Sequence, residues 1–161
     1  MNKSIALYSI LLFIVPVATL IICHQLILIY KPGFYTIPFI DGKVSVSLVG
    51  RQDYTIGIFK PGFIIYIIIL ILFDFKISNF FQTYNKKNNF KILGLTSNLF
   101  LCTYIVALGQ HGTYYEIIRR LGIIFYICNV YINHIYFINI LKLLKNKKKI
   151  LLNIAYLPIF Y

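Results

Sequence analysis

The chain reads as an all-α integral membrane protein: a four-helix transmembrane bundle under a short extracytoplasmic β-like cap loop. Three observations lead there. Of 161 residues, 60% are hydrophobic and only 12% charged, with a mean hydropathy of +0.80, whereas a soluble domain carries about a quarter charged residues. Four apolar runs approach or exceed the ~20 residues that take a helix across ~30 Å of hydrocarbon at ~1.5 Å per residue. The 16 Lys and Arg crowd into a few connecting stretches, the pattern that orients a multi-span protein.

The first span covers residues 5–30. Its apolar stretch exceeds the ~7 to 15 residues of a signal-peptide core, and no small-x-small cleavage site follows. Leu20-Ile21-Ile22-Cys23 puts bulky Ile22 where a lipoprotein cleavage box wants a small residue, so the segment is expected to remain as a span.

The tetrapeptide Lys31-Pro32-Gly33-Phe34 follows, and its second copy, Lys60-Pro61-Gly62-Phe63, closes an outer loop at 31–60. Proline ends a helix but fits its first turn, glycine supplies a turn, and lysine snorkels to the headgroups while phenylalanine stays in the apolar phase. The copies therefore mark the exit of one span and the entry of the next. Between them Val44, Val46 and Leu48 alternate with Ser45 and Ser47, after Asp41-Gly42 and before Gly50. A period of two predicts a short strand or hairpin capping the bundle.

The second span is expected at 61–81, the third at 92–110 and the fourth at 114–141. Thr113 and Glu116 have capping-box spacing at the start of the fourth, and Glu116 is at ion-pair spacing from both Arg119 and Arg120. A basic segment at 142–149 leads into an apolar tail at 150–161, which contains Pro158 and is too short to cross. The whole forms one membrane domain.

Four spans put Lys3, Lys76, Lys86, Lys87, Lys91, Lys142, Lys145, Lys147, Lys148 and Lys149 on one side with Asp74, a net +9. Lys31, Lys43, Arg51, Lys60, Arg119 and Arg120 fall on the other with Asp41, Asp53 and Glu116, a net +3, which completes the total of +12. Both termini are thereby expected in the cytoplasm. The basic cluster abuts a span, where it sets topology and attracts anionic lipid headgroups; a nucleic-acid partner is not expected. Other membrane proteins are possible partners.

Ile37-Pro38-Phe39-Ile40-Asp41-Gly42, Ser45-Val46-Ser47, Gly50-Arg51, Phe59-Lys60-Pro61 and Tyr115-Glu116-Ile117-Ile118-Arg119-Arg120-Leu121-Gly122 resemble small bacterial inner-membrane proteins. More distantly, a first helix followed by an outer Pro-aromatic-Ile-Asp loop is similar to the Frag1/DRAM/Sfk1 multi-span proteins, over the first half of the chain. That resemblance implies membrane residence and brings no catalytic residues; those proteins generally have six spans.

Two polar sets are candidate sites. The outer one is Arg51, Asp53, His111, Glu116, Arg119 and Arg120, with Asp41. It reads either as a headgroup or anion site, since guanidinium forks match phosphate, or as a network pinning loops to helices. The intramembrane set is Asp74, Ser97, Asn98, Asn129, Asn133 and His134, read as interhelical hydrogen bonding or as an ion relay.

Cys23, Cys102 and Cys128 stand singly in three spans, without metal-ligand spacing, and His24 has no convincing opposed histidine. No metal or cofactor is expected. Phosphate-cradling loops, nucleophile elbows and paired carboxylates are missing. Three functions therefore stand: a non-catalytic membrane component or assembly partner, a lipid-headgroup or anion binder or transporter, and an enzyme acting on a lipid headgroup. With 14 Tyr, 14 Phe and no Trp, the Ile, Lys and Asn bias fits an A+T-rich genome, hence a bacterial cytoplasmic membrane or an organelle inner membrane.

Overall fold

The computed structural model of the protein describes residues 3–31, 46–82 and 89–144. Among them every regular element is helical: α1 Lys3–Tyr30, α2 Val46–Gly50, α3 Asp53–Gln82, α4 Phe90–Ala107 and α5 Thr113–Leu144. Four of these are long and apolar enough to cross a membrane, and the chain is a multi-pass integral membrane protein. A helix bonds all its own backbone groups, which is what hydrocarbon demands.

Three sequence expectations shift. The β-like cap is not formed where it can be seen, because Val46–Gly50 is a helical turn and not a strand; the rest of that pattern, Val44 and Ser45 with Asp41, lies outside the described residues. Val46 and Val49 are three apart, so the same letters also suit a helix. Val49 is fully buried in an apolar cluster with Cys23, Ile27 and Phe59, where the described residues offer no strand to bond.

The second span begins at Asp53, eight residues before its expected start, so Pro61 lies inside α3. The first helix ends at Tyr30, with Lys31 N donating to Ile27 O at 2.7 Å, and the rest of the first KPGF lies outside the described residues. The second KPGF does not begin a helix. Its Pro61 forgoes the bond to Gly57, whose missing side chain leaves open space, and its Gly62 brings α3 against Thr19 of α1. The second copy thus serves close helix packing rather than a helix start.

The third change is at the turn after α4, which ends at Ala107, not 110. Gly109 (φ 81) and Gly112 (φ 114) take left-handed backbone there, a conformation open to glycine. The expected capping box gives way to an ion pair, since the Glu116 carboxylate goes to Arg120. Residues 145–161, with most of the basic segment and the apolar tail, lie outside the described residues.

The long helices stand in chain order: α1 on α3, α3 on α4, α4 on α5. Among the described residues the backbones of α1 and α5 nowhere meet, so the bundle is an open row. It bends at α4, letting long side chains of α3 and α5 touch, as Phe81 and Phe137 do with centroids 5.5 Å apart. The most apolar stretch of α4 is 44% buried and that of α5 only 6%. The most buried of the four long helices is also the shortest of them, 18 residues or ~27 Å by the helical rise.

Asp74 is abreast of Gly94, which puts Ala107 level with about Pro61, and Ile56 reaches the turn at Gly109, so about eight residues at the start of α3, ~12 Å of helix, run past the end of α4. There α1, α2 and α3 close over Cys23, Ile27, Val49, Thr55 and Phe59, all buried. Thr55 Oγ1 locks this elbow by donating to Val49 O and lying 3.1 Å from Gln52 O. At the opposite end Phe73, Ile77, Phe81 and Phe90 form a second apolar cluster with Ile5.

Candidate functional site

On α3, Tyr66, Asp74 and Ser78 recur at multiples of four and so share a face. On α4, Gly94 and Asn98 do the same. On α5, Gly122, Tyr126, Asn129 and Asn133 follow at spacings of four, three and four. These stripes bring polar groups into the seams between the three helices.

Asp74 lies at their centre, 4% exposed, beside Asn98 at 3%. Asn98 Nδ2 donates to Asp74 Oδ2 at 3.1 Å. Gly94 makes the approach possible, because a side chain there would overlap the Asp74 carboxyl. Ser97 Oγ donates to Leu93 O at 2.9 Å and accepts from Asn133 Nδ2 at 3.4 Å.

Further around α4, Thr96 Oγ1 donates to Leu93 O at 2.9 Å and lies 3.3 Å from Asn129 Oδ1, and Asn129 Nδ2 donates to Phe125 O at 3.0 Å. The hydroxyls of Tyr66 and Tyr126 share a hydrogen bond within electrostatic reach of Asp74. Among the described residues Asn98 Oδ1 and Asn133 Oδ1 are buried and accept no hydrogen bond. The expected intramembrane set is thus largely brought together. His134 Nδ1 lies 3.0 Å from Val130 O on its own helix.

The outer set is not gathered into one pocket by the contacts it makes. Arg119 Nη1 donates to Gln110 O at 2.8 Å and to Ala107 O at 3.3 Å, so it satisfies carbonyls at the end of α4, where a cation also complements the helix dipole. This explains why an arginine sits nearly two turns into α5. Arg120 takes Glu116 four residues back, with side chains 73% and 49% exposed. Arg51, Asp53 and His111 are exposed at the same end, and Asp41 lies outside the described residues.

Cys23 is buried, its Sγ 3.8 Å from Thr55 O, whereas Cys102 and Cys128 face outward. Among the described residues no group of three His, Cys, Asp or Glu converges as a metal site.

Gly94, Tyr66 and Tyr126 are the site residues that sequence reasoning missed. Their signal was the helical spacing to Asp74, Asn98 and Asn129; a glycine or tyrosine in an apolar run otherwise looks like packing. Comparison of the chain with protein-family profiles, with curated proteins and with solved structures returns no match, so the resemblance to small inner-membrane proteins is carried by its quoted residues alone.

Proposed function

We propose that the chain is a non-catalytic, multi-pass membrane component that assembles with other membrane proteins. One observation carries this reading: among the described residues the helices form an open row whose last member, α5, packs on its own chain along one side only. Tyr131, Ile135 and Ile138 are among its exposed large side chains. The reading also takes both ends as cytoplasmic, supported by the lysine asymmetry, in a bacterial cytoplasmic or organelle inner membrane.

Photo-crosslinkers at Tyr131 and Ile135 in native membranes, together with light scattering after mild detergent extraction, test it. Discrete protein adducts and a mass above the monomer are expected. Adducts to lipid alone, with a monomeric particle, would defeat it. Compartment reporters at Lys43 and at the C-terminus should respond on opposite sides.

A second reading, headgroup or anion binding at the turn end, is favoured by the exposure of Arg120 and Arg51 there. Replacing both with glutamine should then weaken association with anionic vesicles and leave insertion unchanged.

A further inference from the structure

The side of α5 turned away from α4 carries a repeat of its own. From Ile117, spacings of four, three, four, three, four and three lead through Leu121, Ile124, Cys128, Tyr131 and Ile135 to Ile138, and all seven side chains are exposed. A mean spacing of 3.5 residues is the period at which two helices wound left-handedly keep one seam in contact. Small or apolar side chains fill the seam throughout, so two identical faces meet without like-charge repulsion.

Tyr131 identifies the partner. Its neighbours Asn129 and Asn133 meet Thr96 and Ser97, close to the middle of α4, so Tyr131 stands near mid-span and is 67% exposed. Half of the ~30 Å hydrocarbon core separates it from either headgroup layer, farther than a tyrosine side chain reaches. Among the described residues its hydroxyl has no hydrogen-bond partner. An unpaired hydroxyl in hydrocarbon is costly, and a tyrosine O–H out of water usually finds a partner. A hydroxyl both donates and accepts, so the same residue on an identical helix, brought up across a two-fold axis, satisfies it. Lipid tails offer nothing of the kind.

We propose that two copies of this chain pair through α5, along the seam from Ile117 to Ile138, with Tyr131 hydrogen-bonded to the partner's Tyr131. The pairing rests on the assembly reading above and names its partner. Both copies insert in the same direction, so the two-fold axis runs along the membrane normal and the paired helices are parallel. With about half of each large side chain in the seam exposed, two copies together cover roughly 1,000 Å², the size at which specific interfaces begin.

The seam carries its own reporter, because a parallel pair brings Cys128 opposite the partner's Cys128. Cys102 also faces outward, whereas Cys23 is buried. The full chain in native membranes is oxidised with copper phenanthroline, which joins two thiols as a disulfide where their sulfurs can meet. Cys102→Ala should give a covalent dimer and Cys128→Ala none. With both cysteines replaced by alanine, Ile124→Cys and Ile135→Cys should crosslink to themselves at least about tenfold faster than Ile127→Cys and Ile132→Cys, which lie beside the seam and out of disulfide reach. Tyr131→Phe should weaken dimerisation about threefold, the worth of one interhelical hydrogen bond in a membrane, by sedimentation equilibrium in detergent.

Self-crosslinking that is equal on and beside the seam overturns the pairing, as does the absence of a covalent dimer from Cys102→Ala and from both seam cysteines. If the particle nonetheless exceeds the mass of one chain, the assembly reading survives with a different partner. A monomeric particle whose photo-adducts are lipid alone defeats both.

Discussion

Gly94→Ala is the most informative single perturbation, because two opposing terms can be worked out beforehand. In a helix the change gains about 1 kcal/mol from propensity alone. Against this, the new methyl would overlap the Asp74 carboxyl and stand 2.6 Å from its Cγ and 3.0 Å from its Cβ. Rotating the carboxyl therefore does not clear the space, because the Cβ moves only with the α3 backbone. Separating packed elements by such an insertion costs about 1 to 3 kcal/mol, and displacing the bond from Asn98 adds about 0.6 kcal/mol in a membrane bundle.

A net loss of roughly 1 to 2 kcal/mol is expected for Gly94→Ala, the overpacking term exceeding propensity. In an Asp74→Gly background both the carboxyl and the Cβ are gone, and most of that loss should disappear. Reversible unfolding in mixed detergent micelles, run on the four proteins of this cycle, measures the coupling. If the two substitutions prove additive, the close approach of α3 and α4 at this level is wrong.

Other outcomes follow from the same contacts. Arg119→Gln should destabilise by about 1 to 2 kcal/mol, because two carbonyls lose a charged donor, whereas Arg120→Gln should cost less than ~0.5 kcal/mol, its ion pair being exposed; thermal melts of both compare them. Thr55→Val should loosen the elbow by about 1 to 2 kcal/mol through its lost bonds and quicken protease cleavage near 46–53. Gly122→Val should cost about 1 to 3 kcal/mol, since a Cβ there meets Phe100 O, Thr103 Oγ1 and Tyr104 Cβ, each at 3.2 Å, and unfolding of that variant reads the α4–α5 seam.

The amino-acid sequence by itself determined that four helices would cross a membrane and roughly where. Apolar length is a local property, and a chain in hydrocarbon must bond its own backbone. Local chemistry left other matters open. Proline suits a helix start and an exposed interior site beside glycine, so only the packing of α3 against α1 decided that Pro61 lies within a helix. Val46 to Gly50 satisfies both a period of two and a helical turn, and the apolar cluster that buries Val49 chose the turn.

The polar residues divided in the same way. Asp74 and Asn98 were visible as polar letters in apolar runs, but they lie 24 residues apart in the chain. Whether they touch depends on the rotation of α3 and α4 about their axes. That rotation is set by where a glycine lets two backbones draw close. Arg119 and Arg120 are adjacent in the chain yet point about 100° apart around α5, and this angle gave one of them to the end of α4 and the other to Glu116.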